Sequence, residues 1–104
     1  MLPKKLRLPI QEVISKKGKT HKNTFFTIKV FSNNLNFSRF GVVISKKVGK
    51  TAVVRNKIKR AIFNALRSVK DHWAIADYLI IVNSSVIGLS QKQINGQIIS
   101  LSFN

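Results

Sequence analysis

The chain has 104 residues, with 19 Lys+Arg against 3 Asp+Glu, a formal net charge of +16 and no cysteine. The missing cysteines exclude a disulfide framework and thiolate metal sites, and a hydrophobic content of 44% excludes a disordered basic tail. Self-repulsion on this scale favours a polyanionic partner, nucleic acid ahead of an anionic membrane surface. This length predicts one domain, residues 1–104. The opening "MLPKKLRLP" has no apolar run behind its basic residues and no stretch reaches 18 apolar residues. Neither a signal peptide nor a membrane span is therefore expected, and the predicted location is cytoplasmic.

In chain order, "IQEVISKK" (10–17) spaces Ile10, Val13 and Ile14 for a short helix ended by Gly18. The basic "KKGKTHK" (16–22) reads as a loop. "TFFTIKVF" (24–31) is a strand whose alternation separates an apolar face, Phe26, Ile28 and Val30, from a mixed face, Phe25, Thr27, Lys29 and Phe31. After the turn "SNNLN", "RFGVVIS" (39–45) repeats the pattern, with Phe40, Val42 and Ile44 opposite Arg39, Gly41, Val43 and Ser45. If these two strands are antiparallel neighbours, their mixed faces join into one half-polar surface.

Thr51 is an N-cap for a helix over 52–69, closed by Asp71 and His72. At 100° per residue, Val54, Ile58, Ala61, Ile62, Ala65, Leu66 and Val69 share an arc of roughly 140° that predicts a core face. Asn56, Lys57, Lys59, Arg60, Phe63, Asn64 and Arg67 fill the remainder, with Arg55 at its edge. A merely solvated charged face would intersperse acids at i,i+4 spacing, yet residues 46–70 contain none. Phosphates are the expected counter-charge. Phe63, in the polar arc, is expected either to stack on a base or to pack under a neighbouring element. "DYLIIV" (77–82), apolar on both faces, predicts a central strand, with Trp73 and Tyr78 as core or boundary residues. Ser90 caps a last helix over 91–103, with Ile94, Ile98 and Leu101 inward.

Protein-based catalysis is not expected. His21 and His72 have no cysteine partner, Glu12, Asp71 and Asp77 form no spaced acid/base or metal pair, and "VGKT" lacks the rest of a phosphate loop. A protein-only nuclease would need clustered acids for two metals.

The run "GVVISKKVGKTAVVRNKIKRAIFNAL" (41–66) resembles the protein component of bacterial ribonuclease P, in which a strand ending in S-K-K precedes a helix opening with R-N-R-x-K-R. The resemblance covers most of the chain, from Lys4–Leu8 to "DYLIIV". It implies an α+β sandwich, α-β-β-β-α-β-α, with a mixed central sheet and a left-handed βαβ crossover. It further implies that Lys46, Lys47, Arg55, Asn56, Lys57, Lys59 and Arg60 dock on the catalytic RNA. A cleft between that helix and the sheet would hold the 5′ leader of precursor tRNA, with Phe25, Thr27, Lys29, Phe31, Val43, Ser45, Phe63 and Arg67 as candidate lining. The RNA subunit would carry out the hydrolysis with magnesium, the protein itself binding no metal, cofactor, small molecule or membrane. Lys57 stands where the family usually has a second arginine, so a bidentate phosphate fork becomes a point charge. The alternative compatible with composition is a small basic ribosomal protein binding rRNA.

Overall fold

The computed structural model describes residues 6–13, 17–44 and 47–101. The element order is α1 (Ile10–Val13), β1 (Lys19–Lys22), β2 (Phe26–Phe31), β3 (Arg39–Val43), α2 (Ala52–Val69), β4 (Asp77–Val82) and α3 (Gln91–Ile99), with a 3₁₀ turn at Ser84–Val86 before α3. This is the α+β order expected, built on a mixed four-stranded sheet. Ile14, Ser45 and Lys46 lie outside the described residues, and the last helix, expected to run to residue 103, ends at Ile99, where Ser100 caps it with its N–H on Gly96 and Ile98 C=O.

The strands lie in the order β1-β2-β4-β3. β4 is antiparallel to β2 and parallel to β3, so β2 and β3 are not neighbours as the sequence suggested. A strand apolar on both faces gains most by taking the middle of the sheet, and β4 is that strand. Cross-strand register sorts the side chains into rows. Val30, Tyr78 and Phe40 share one face with Ile28, Ile80 and Val42. On the other face lie the rows Thr27, Ile81, Val43; Lys29, Leu79, Gly41; and Phe31, Asp77, Arg39.

The first face carries the main core, in which Phe26, Ile28, Phe40, Tyr78 and Ile80 pack with Ile62 and Leu66 of α2 and with Ile94 and Ile98 of α3. The second face carries a smaller cluster, Leu8, Val13, Phe31 and Leu79, against which Ile10, Val43 and Ile81 lean. Helices α2 and α3 therefore cover one face of the sheet, and α1 covers part of the other.

β1 corrects the reading of residues 16–22 as a loop. Lys19, Thr20, His21 and Lys22 are all exposed, so no apolar alternation marks the strand. Its pairing with β2, Lys19 opposite Val30 through Lys22 opposite Thr27, is what orders it. Lysines on an exposed edge also discourage pairing with another chain. At the opposite edge, the chain before α1 borders β3 through a bridge of Arg7 to Phe40 and a hydrogen bond from Leu8 N–H to Phe40 C=O at 2.8 Å.

Tyr78 is fully buried between Phe40, stacked at 5.4 Å, and Trp73, tilted at 5.1 Å, and its hydroxyl donates to Ala74 C=O. Burial raises its pKa from the ordinary 10.0. The folded state thus resists forming the phenolate, so Tyr78 adds stability below its unfolded value that is lost as pH rises through the raised value. Between about pH 9 and 11, urea midpoints should fall more steeply for the native chain than for Tyr78→Phe. Parallel curves would contradict this.

Candidate nucleic-acid interface

α2 begins and ends where its sequence predicts. Thr51 Oγ1 accepts from Val54 N–H at 3.2 Å, and Lys70 N–H closes on Leu66 C=O. Its buried face is wider than the predicted stripe. Phe63 is 2% exposed and belongs to the main core, whereas Val54 is 42% exposed. The helix rests its C-terminal half on the sheet, where Phe63 gains from burial, while its first turn carries Val54 past the packed layer. Phe63 is therefore not available to stack on a base, which corrects its assignment to the leader cleft.

The remaining polar arc is intact. Asn56, Lys57, Lys59, Arg60 and Arg67 are exposed. Two carboxylates are described, and both are engaged elsewhere. Asp77 accepts from Arg39 at 2.9 and 2.7 Å and from Asn33 Nδ2 at 2.8 Å, and Asp71 lies 3.7 Å from Lys70. Among the described residues none is left for Lys57, Lys59, Arg60 or Arg67. Like charges one turn apart repel, so this face is built for an external anion.

Arg55 has a second duty that sequence did not show. Its guanidinium Nη1 donates to Gly49 C=O at 2.9 Å, folding the side chain back over the loop that feeds α2. The approach needs glycine, because a Cβ at 49 would stand 2.5 Å from Arg55 Cγ and 3.1 Å from its backbone nitrogen. Gly49→Ala should cost about 1–2 kcal/mol through the displaced arginine and its lost bond. Differential scanning should show the midpoint falling by about 4–16 °C; an unchanged midpoint would mean the loop adapts freely.

The second charged surface is the α1 side of the sheet. Ile10 and Leu8 sit over Gly41, where an added Cβ would be 3.2 and 3.3 Å from them. In the next row Thr27, Ile81 and Val43 are partly buried, Ile81 and Val43 leaning on the same apolar cluster, and Lys29 is exposed beside them. Lys22 and Thr20 extend these rows onto β1. The result is a shallow half-polar floor with cations along the β1 side.

Several candidate residues are not on this floor. Phe31 shares the face but is buried beside Leu79 and Val13, because α1 covers that end of it. Phe25 packs half-buried against the main core. Asn23 Oδ1 accepts from both Phe25 and Phe26 N–H at 2.8 Å, so the strand starts at Phe26 and Phe25 escapes its alternation. Phe63 and Arg67 stand on α2, in the layer beyond the sheet. The space between α2 and the sheet is filled by the main core, Ile62 and Leu66 packing with Phe26, Ile28, Phe40 and Ile80. Lys47 is exposed after β3, and Ser45 and Lys46 lie outside the described residues.

A family model described as Ribonuclease P matches residues 4–103. The chain belongs to the ribonuclease P protein family. The match separates it from the ribosomal proteins that its composition also suits. The ribonuclease P protein component of Clostridium kluyveri is 36% identical over 91 residues, covering 85% of this chain and 80% of that protein. That of Mycoplasma mycoides is 36% identical over 99 residues, covering 93% and 89%. Among solved structures, the Staphylococcus aureus RNase P protein superposes with a TM-score of 0.79 at 30% identity, covering 95% of this chain and 98% of that one. The Thermotoga maritima RNase P protein, solved with 1-(4-fluorophenyl)-2-thiourea, gives 0.79 at 26% identity, covering 89% of this chain and 94% of that one. The ribonuclease P fold thus accounts for the sheet order that local patterning missed.

Proposed function

We propose that the chain is the protein subunit of a ribonuclease P ribonucleoprotein that docks on the catalytic RNA through α2 and receives the 5′ leader of precursor tRNA on the α1 side of the sheet. The observation that carries this reading is the pair of cationic surfaces on opposite layers of one small sheet. One is a helix face with unneutralised charge; the other is a shallow floor of Thr27, Lys29, Val43 and Ile81. Two surfaces permit two RNAs to be held at once.

Lys57, Lys59 and Arg60 position the RNA by phosphate contact, and Asn56 can donate to and accept from a ribose or base edge. Lys29 supplies attraction to a single strand, while the half-polar floor lets its bases lie flat without reading their sequence. Magnesium chemistry belongs to the RNA-containing enzyme in this reading. In this reading the protein's own side chains bind and orient the two RNAs.

Leader-length titration tests the division of surfaces. With the RNA subunit present, the native protein should favour a precursor carrying a leader of several nucleotides over mature tRNA. Lys29→Ala should shrink that preference by about 3–10-fold, as expected for one exposed charge–phosphate interaction, while leaving the affinity of protein for the RNA subunit unchanged. Equal loss toward the RNA subunit would merge the two surfaces into one and contradict the assignment.

A further inference from the structure

The structure assigns a seat for one unpaired nucleobase to the groove between α2 and the turn entering α3. This rests on the reading of α2 as an RNA-docking helix and adds to it a second kind of contact. The groove encloses about 630 Å³, a volume typical of sites that take a small organic group. Its floor is apolar, formed by Ile58, Ala61, Val86, Leu89 and Ile94, and its rim carries Lys57 and Arg60. At the mouth, Val54 and Ile87 are 42% and 58% exposed.

Phosphate contact alone explains Lys57 and Arg60 but gives no reason for an open apolar floor beneath them. A purely apolar partner would explain the floor but would meet two cations with no acid beside them to balance the charge. A nucleotide satisfies both, presenting a flat base to the aliphatic side chains and its phosphate to the rim. The base must be unpaired, because bases in an A-form helix are stacked and their major-groove edges are out of reach.

Polar groups stand where a base edge would need them. Asn64 lines the groove, exposed, and its side chain makes no hydrogen bond among the described residues. Gln91 Nε2 donates to Ala61 C=O and Asn95 Oδ1, both at 2.8 Å, which fixes the side chain and leaves Oε1 as an acceptor. The wall turns at Gly88, whose φ of +87° suits glycine. No aromatic residue lines the groove among the described residues, so aliphatic side chains clamp the base, in the role that Phe63 cannot fill.

A cysteine-free chain allows a single label. Ile87→Cys carrying an aryl azide, bound to a bacterial ribonuclease P RNA and irradiated, should give primer-extension stops confined to one or two unpaired nucleotides. Stops spread along paired segments would overturn the seat. So would no crosslink when a label at Lys59→Cys reacts normally. Filling the floor with Ala61→Leu keeps every charge, and should weaken RNA binding at least about 10-fold with the log–log salt slope unchanged. Lys59→Ala should instead lower that slope by about 0.9. If Ala61→Leu lowers the thermal midpoint, the exposed Ile87→Ser takes its place, with the same expected loss of affinity. Native affinity and slope in the filled or stripped variant would overturn the groove alone. If the unaltered protein fails to bind the RNA, or Lys59→Ala leaves the slope untouched, the docking reading fails and the groove falls with it.

Discussion

Asp77→Ala should lower the thermal midpoint by about 12–24 °C, the equivalent of about 3 kcal/mol in a domain of this size. Asp77 is 1% exposed and is the one described acid inside the protein. Its carboxylate receives Arg39 Nε at 2.9 Å and Nη2 at 2.7 Å, a bidentate fork, and Asn33 Nδ2 at 2.8 Å. These three residues join the start of β4 to the start of β3 and to the loop between β2 and β3. Removing the acid takes the bidentate carboxylate from the Arg39 guanidinium, which is 18% exposed and stays largely withdrawn from water. Breaking one side of such a pair costs more than replacing both. The double change Asp77→Leu with Arg39→Met should therefore recover much of the loss. Calorimetry of the single and double variants checks both statements, and a single variant within a few degrees of the native midpoint would contradict them.

The second large effect falls on RNA binding. Lys57→Ala, Lys59→Ala and Arg60→Ala combined should weaken affinity for the RNA subunit on the order of 10²–10³-fold, because the variant no longer presents these cations to the phosphates. The log–log salt slope should fall by about 2.7, at 0.9 per phosphate. Arg55 is left in place because its bond to Gly49 C=O holds the loop before α2, and its removal would mix folding with binding. The midpoint of the triple variant should hold or rise, since mutual repulsion is relieved. A filter-binding series from low to moderate salt reads both quantities. An unchanged slope would place the RNA elsewhere on the protein.

What the sequence showed and what it hid follow from the range of the interactions concerned. Helix α2 was legible to the residue because a cap, an apolar stripe and a run of good helix formers are local. So was β4, whose two apolar faces demand cover on both sides. The order β1-β2-β4-β3 was not legible, because partner choice among strands is set by residues far apart in the chain. β1 was invisible to alternation, being polar on both faces and ordered by β2 alone. Phe63 shows where a helical wheel misleads: the wheel divides residues by direction but does not know which half of the helix meets the sheet. Near the C-terminal half a wider arc is buried, and near the first turn a narrower one, which is why Val54 and Phe63 exchange places. The sheet surface was legible only in part for a related reason, since mixed faces on β2 and β3 indicate a half-polar surface without saying which helix lies over it. The unneutralised charge of α2 was legible because it depends on an absence of acids, which sequence displays directly. The partner of Asp77, 38 positions away at Arg39, was not.

The most direct measurement is cleavage of a precursor tRNA with a labelled leader by a bacterial ribonuclease P RNA at low magnesium, with and without this protein. The account predicts clear stimulation by the native chain, nearly abolished in the Lys57, Lys59, Arg60 triple-alanine variant and restored in part as its concentration is raised. No stimulation by the native protein, with the RNA subunit from its own source, would contradict the account.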